Sequence, residues 1–403
     1  VSINKSYSLY ATFAAANVVI SYGLLVFLAN TLSKSDYATY GVMTTLMSLC
    51  LILLNFGHKE ALFKYFSQGK ATQIRVTSGS LKAWLLLFFS LSLCMFAIST
   101  AAGAAALAFW ALYLLTVVSH INRGRGDYWR DAMALPLYRG SWLLAGLLVI
   151  VLGGSLNATS VFVLAALSSL LALVAIKGVT VLRNLLDDTG TAKLPIFNPT
   201  LRNFFLLEVT TVAYMKLDVL MLKAAYVDDE LIAEYFFAIQ VFEAAMLVLA
   251  PLSYLFFNRY NQHLKRRASS SLLKQVLPFA GVMLFVTVAI GGGWWLVGEW
   301  LLTLMFPDYV NSFMLVNLLL LALFPMGLSM LLSHALFAQD KEALYVKICA
   351  AGFLICLLGN AILIPEFAGF GAAGARLITE LLIITLLLLT LPRMVVGPGR
   401  IRN

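Results

Sequence analysis

Seven ionisable residues sit inside stretches of sequence that are otherwise apolar. Glu208, Lys216, Asp218 and Lys223 share one such stretch, Glu243 lies in the next, and Arg376 and Glu380 lie near the end of the chain. On insertion scales a charge at the centre of a helix in hydrocarbon costs about 2.5–3.5 kcal/mol, so a partner or a function must offset it. At 100° per residue Lys216 and Lys223 share a helix face, Glu208 lies within about 80° of them, and Asp218 points roughly the other way. Asp218 is therefore expected to support packing or to meet a second helix. Gln240 falls on the face of Glu243, and Arg376 and Glu380 are spaced to pair at i,i+4. Lys216 and Glu243 are expected to line a cavity, Lys223 and Lys347 to reach an interface, and the acids are suited to carrying a proton. Lys59 and Lys64, at the end of the second apolar run, complete the candidate set.

Nothing in the chain suggests that a bond is broken. No His-Glu-x-x-His is present, and no Gly-rich phosphate loop leads into Lys-Ser/Thr. The cysteines Cys50, Cys94, Cys349 and Cys356 lie within apolar runs without metal-ligand spacing and read as packing residues. No catalytic residue, metal or cofactor is expected, and the chain reads as a non-enzyme.

The elements that must position these groups follow from composition. Of the 403 residues, 61% are hydrophobic and 12% charged, and the mean hydropathy is +0.91, more apolar surface than a soluble fold can hide. Apolar runs of bilayer-spanning length recur along the whole chain, and no period-2 alternation suggests a membrane barrel. The expected class is an all-α integral membrane protein of about twelve transmembrane helices. The spans are placed at roughly 9–32, 38–57, 83–101, 103–121, 135–153, 158–180, 203–226, 232–257, 276–298, 311–336, 343–364 and 371–391. The net charge of +9 does not indicate nucleic acid, because the cations are dispersed among short loops. Trp84, Trp142, Trp294, Trp295 and Trp300 read as interfacial anchors.

Cations follow every even-numbered span: Lys59, Lys64 and Arg75; Arg123, Arg125, Arg130 and Arg139; Lys177, Arg183 and Lys193; Arg259, Arg266 and Arg267; Lys341; and Arg393, Arg400 and Arg402. Asp36, Asp228, Asp229, Glu230 and Asp308 collect in the other loops. By the positive-inside rule both termini are cytoplasmic. The loop around 187–203, with Gly190, Pro195 and Pro199, divides the chain into six-helix halves at 1–190 and 200–403. Ala38-Thr39-Tyr40 is echoed by Ala233-Glu234-Tyr235, and an even span count gives the halves one orientation, as in transporters built from parallel repeats. Such repeats place a substrate path between the halves.

The stretch KLDVLMLKAAYVDDELIAEYFFAIQVFEAAMLVLAPLSYLF (216–256), with Asp218, Tyr235 and Pro251, resembles the opening of the second half of polysaccharide repeat-unit flippases, the O-antigen exporters of bacterial inner membranes. The segments 304–345 and 361–382 are similar to that family's tenth span and its eleventh-to-twelfth connection, and the Gly57/Ala61 segment to its first spans. Arg376, Lys59 and Glu60 depart from the pattern. The resemblance implies a transporter of the multidrug/oligosaccharidyl-lipid/polysaccharide exporter superfamily, located in the inner membrane. It implies a polyprenyl-diphosphate-linked oligosaccharide as cargo, membrane lipids as surroundings, and a polysaccharide polymerase and glycosyltransferases as partners. Lys216 and its neighbours would then attract the diphosphate. A cation-coupled multidrug exporter of the same superfamily is the alternative, although such exporters favour acids in the first half, where spans one and two carry none.

The loop charges generate a topology test. Cysteines introduced at Asp36, Asn157 and Asp308 should label from outside intact cells, and those at Gln73, Gly126 and Ser270 should not. Reversal at two or more sites would remove the orientation.

Overall fold

In the computed structural model of the chain, residues 3–67, 69–187, 199–265, 272–337 and 341–390 are described. They form helices α1 (Ile3–Thr31), α2 (Lys34–Asn55), α3 (His58–Ser67), α4 (Ala71–Cys94), α5 (Thr100–Gly124), α6 (Tyr128–Val151), α7 (Ala158–Ala175) and α8 (Gly178–Asp187). Then follow α9 (Pro199–Ala224), α10 (Asp229–Lys265), α11 (Leu272–Met305), α12 (Ser312–Leu321), α13 (Leu323–Phe337) and α14 (Glu342–Thr390). No strand occurs among the described residues. The expected loop cations Lys193, Arg266, Arg267, Arg393, Arg400 and Arg402, with Gly190, Pro195 and Ser270, lie outside them.

Nine helical windows among the described residues are long and apolar enough to cross a bilayer. They contain ten of the expected spans, because the last window, Ala343–Thr390, holds two. The first expected span appears as the shorter apolar helix Ala16–Thr31. The seventh corresponds to α9, which is 26 residues long but carries Arg202, Glu208, Lys216, Asp218 and Lys223 and is not among the nine. The chain is a multi-pass, all-helical membrane protein.

The chain divides into two compact units, Val1–Val212 and Ala213–Asn403, with the division inside α9. The loop expected to separate the halves falls mainly outside the described residues.

In the first unit α5 is the central helix, packed against α2, α3, α4, α6 and α7. Its early turns bury Ala102, Gly103, Ala104, Ala105, Ala106 and Ala108, small residues that let neighbouring backbones approach. The sequence places a turn at 100–103. Instead the helix begins at Thr100, where the Ser99 side chain accepts from the Ala102 amide, and the break lies in the short 3-10 turn Met95–Ala97. Between α2 and α3 the chain turns through two left-handed residues, Phe56 at φ 37° and Gly57 at φ 75°. A Cβ on Gly57 would meet the Leu201 carbonyl oxygen at 2.5 Å, so the start of α9 packs directly on this turn. Ala61, Tyr65 and Leu201 form a small apolar cluster there.

In the second unit α14 is a hairpin rather than one rod. Pro365 precedes a break at Ala368, which has φ 46° and ψ −123°. A Cβ on Gly371 would touch the Leu363 carbonyl at 2.2 Å, one on Gly359 would meet Ala375 at 3.1 Å, and one on Gly352 would meet Ile383 at 2.7 Å. Contacts that spread symmetrically from the turn mean two antiparallel arms, 342–367 and 369–390, each of spanning length. The second arm carries Arg376 and Glu380 against the first.

Candidate functional site

The candidate residues separate into one polar network in each unit. In the first unit the network gathers where α2 gives way to α3. Asn55 is fully buried at the last residue of α2, and its amide nitrogen donates to Glu60 Oε2 at 2.8 Å and to Glu208 Oε2 at 2.6 Å. Its amide oxygen accepts from the Lys59 backbone amide at 3.1 Å and from the Tyr113 hydroxyl at 3.4 Å. Lys59 Nζ donates to Glu208 Oε1 at 3.1 Å and lies 3.6 Å from Glu60. Burial would lower the Lys59 ammonium, but Glu60 and Glu208 overcome it and hold the group above the ordinary lysine value. Thus Glu208 is joined to Lys59, not to the lysines of its own helix. Lys64, one turn on, is exposed and outside this network.

His58 sits under the same turn, fully buried. Its Nδ1 is 2.6 Å from the Asn55 carbonyl, which only accepts, so that nitrogen carries the proton; Nε2 is 2.9 Å from Ser80 Oγ. Elsewhere in the unit buried Asp131 takes two bonds from Arg123 and one from Ser119, and Arg139 reaches across from α6 to Asn17 and Ser21 on α1.

The second unit holds the remaining candidates. Asp218 on α9 is buried and accepts from the Tyr235 hydroxyl of α10 at 2.7 Å and from Arg376 Nη1 of α14 at 3.3 Å. Arg376 also donates through Nη2 to the Met215 carbonyl at 3.0 Å, and its guanidinium lies 5.3 Å from the centre of the Phe242 ring. Arg376 therefore pairs with Asp218, and not with Glu380, the partner its i,i+4 spacing suggests. Glu380 is fully buried and accepts from the Tyr214 hydroxyl at 3.2 Å.

Lys216, one face away on α9, forms an ion pair with Glu243 of α10. Exposure distinguishes the two pairs. The side chains of Arg376 and Asp218 are 1% and 3% exposed, whereas those of Lys216 and Glu243 are 23% and 30% exposed. Lys223 meets Asp229 at 2.7 Å across the α9–α10 turn, in an exposed pair. A cavity of about 800 Å³ opens at the end of this unit where residues 225–234, 311–315 and 364–370 converge. Its lining includes Asp228, Glu234, Asn311 and Glu366 and none of the paired cations.

Sequence reasoning missed Asn55, Tyr113, His58 and Tyr214 as partners, and Asp131 as a buried charge. A polar residue in an apolar run signals only that a partner exists. The Phe56-Gly57 turn that aims Asn55 at two carboxylates has no periodicity to reveal it.

No family model matches the chain, and no curated protein matches it. Solved structures do. One is the lipid II flippase MurJ in an inward closed conformation, with a TM-score of 0.76 and 12% identity over 95% of this chain and 87% of that one. Another is a multidrug resistance MATE family transporter of the MOP superfamily, inward-facing, with a TM-score of 0.67 and 12% identity over 98% and 96% of the two chains. A MOP superfamily transporter from Pyrococcus furiosus matches with a TM-score of 0.59 and 12% identity over 96% and 93%. The class is thus a multi-pass helical membrane protein that shares its fold with these solved structures. At 12% identity the likeness defines the fold alone, and its examples include both a lipid flippase and multidrug transporters.

Burial pulls the His58 imidazole down to about 4, against the upward pull of the Asn55 carbonyl and Glu60. The unfolded chain has the ordinary value near 6.5, so it binds the proton first as pH falls. The stability this residue contributes is complete above about pH 6.5 and is lost toward pH 4, at no more than about 1.4 kcal/mol per pH unit. Melting of the purified protein between pH 7 and 4 should fall less steeply in His58→Gln than in the parent. Equal slopes would contradict the assignment.

Proposed function

We propose that the protein moves an oligosaccharide linked to polyprenyl diphosphate from the cytoplasmic to the outer leaflet of a bacterial inner membrane. The observation that carries the reading is the partly exposed Lys216–Glu243 pair on helices α9 and α10. A diphosphate or a sugar hydroxyl loses several kcal/mol of hydration for each polar group left unpaired in hydrocarbon. A lysine held by a carboxylate at a partly open position can exchange that partner for phosphate oxygens, and the polyprenyl tail meanwhile stays in lipid. The Arg376–Asp218 pair, closed to solvent, is fixed structure on this reading. No bond is broken in the transfer, and the protein acts as a transporter rather than an enzyme.

The sequence resemblance to polysaccharide repeat-unit flippases supports the reading, as does a fold shared with a protein described as a lipid II flippase. Both termini are then cytoplasmic and the two six-helix halves share one orientation. Glycosyltransferases would build the cargo on the cytoplasmic side, and a polymerase would consume it outside. A second reading, a cation-coupled multidrug exporter, is favoured by the cavity lined by Asp228, Glu234 and Glu366, which suits a positively charged ligand.

The experiment uses one strain with two readouts, surface glycan and efflux of cationic dyes. Lys216→Ala should lower surface glycan about tenfold or more, the factor that ~1.4 kcal/mol of lost interaction carries, at unchanged protein level. Lys216→Arg should keep more activity than the alanine variant, and dye efflux should not change in either. Intact glycan with lost efflux would transfer the assignment to the second reading.

A further inference from the structure

Glu380 is a carboxyl group that the ion pairs leave over. It lies in the second arm of α14, is 0% exposed, and has Oε1 facing the Tyr214 hydroxyl at 3.2 Å. The other oxygen, Oε2, is buried and has no hydrogen-bond partner. Arg376, one turn earlier, gives Nη1 to Asp218 and Nη2 to the Met215 carbonyl, and its Nε is buried without a hydrogen-bond partner, so it makes none to Glu380. One turn beyond, Ile383, Ile384 and Leu387 join an apolar cluster with Leu331, Leu332 and Met283.

The groups that face Glu380 from the surrounding elements are few. From α9 there is Tyr214, and from the first arm of α14 there are Tyr345, Cys349 and Cys356. From its own arm there are Arg376 and Thr379, and Ser333 of α13 reaches the region through Tyr345. Phenols, thiols and hydroxyls are neutral. Among the described residues the cation facing it is Arg376, whose charge is matched by Asp218 at 3.3 Å, with Glu243 acting on the same guanidinium. An ionised Glu380 would be a fully buried anion with one hydrogen bond and no ion pair of its own, the arrangement that buried carboxyl groups avoid by taking up a proton.

We propose that Glu380 is a proton-binding site, with the proton on Oε2 and Oε1 serving as the carbonyl that accepts from Tyr214. The proton is taken from solvent by the carboxylate, one O–H bond forms, and no other reactant is needed. Because Oε2 is closed off in this conformation, its release requires one arm of α14 to move. Ala368, a non-glycine residue at φ 46°, holds strain at the turn between the arms. Proton binding and arm position are thereby linked, whatever cargo the protein carries.

Infrared difference spectroscopy on the purified full chain in lipid nanodiscs tests this without a substrate. At neutral pH the parent should show a protonated-carboxyl C=O band that is lost in Glu380→Gln. Tyr214→Phe should keep that band and move it to higher frequency, because the carbonyl loses its donor. A spectrum unchanged by Glu380→Gln would overturn the proposal. Should the glutamine variant not accumulate, Tyr214→Phe decides alone: a band moved upward supports the site, and an unmoved or missing band overturns it. The outcome does not depend on the flippase reading, since no transport is measured.

Discussion

A charge placed at the depth of a bilayer has to find its opposite inside the protein, and the second unit is arranged around the pair that does so most completely. Arg376 and Asp218 tie α14 to α9, and Tyr235 brings α10 to the same carboxylate. The guanidinium also rests over Phe242 of α10 and holds the Met215 carbonyl of α9. Such a pair adds little net stability, because desolvation offsets most of its Coulomb attraction, but removing one member strands the other at about 3–5 kcal/mol. Its structural consequence is position. Three helices meet at one register, and Lys216, two residues before Asp218, is set toward Glu243 on the neighbouring helix.

The same physics at a less enclosed site has a different consequence. Lys216 and Glu243 keep a quarter to a third of their side-chain surface, so neither pays the full cost of burial and either can change partner. In the first unit Lys59 lies between Glu60 and Glu208, and Asn55 bridges the two carboxylates. One cation between two acids resists a further anion there. On the proposed function, the cation of the second unit is the one that would meet a diphosphate.

The span pattern and helical class were legible because hydropathy and loop charge are local properties. The division of α14 was legible as well, since 343–364 and 371–391 read as two separate apolar runs, although the two arms meet through a left-handed alanine. Partner choice was not legible. Spacing along one helix says which way Arg376 and Glu380 point, but an arm packed against α9 offers Arg376 a carboxylate that no local rule anticipates. Glu208 shows the same limit: its helix face suggested Lys216, while the Phe56-Gly57 turn delivers Lys59 and Asn55 instead. Asp131 gave no signal of its own in the sequence, where it follows Arg123, Arg125 and Arg130; in the fold it is 4% exposed and bound by Arg123.

The most direct measurement is transfer of cargo by the purified protein in sealed liposomes. A polyprenyl-diphosphate oligosaccharide placed in both leaflets is treated with a membrane-impermeant reagent that destroys only what is exposed outside. With the protein present, the account predicts that the protected inner fraction becomes accessible, and that Lys216→Ala slows this while leaving a cationic dye unmoved. A protected fraction that stays constant, with dye carried across instead, would contradict it.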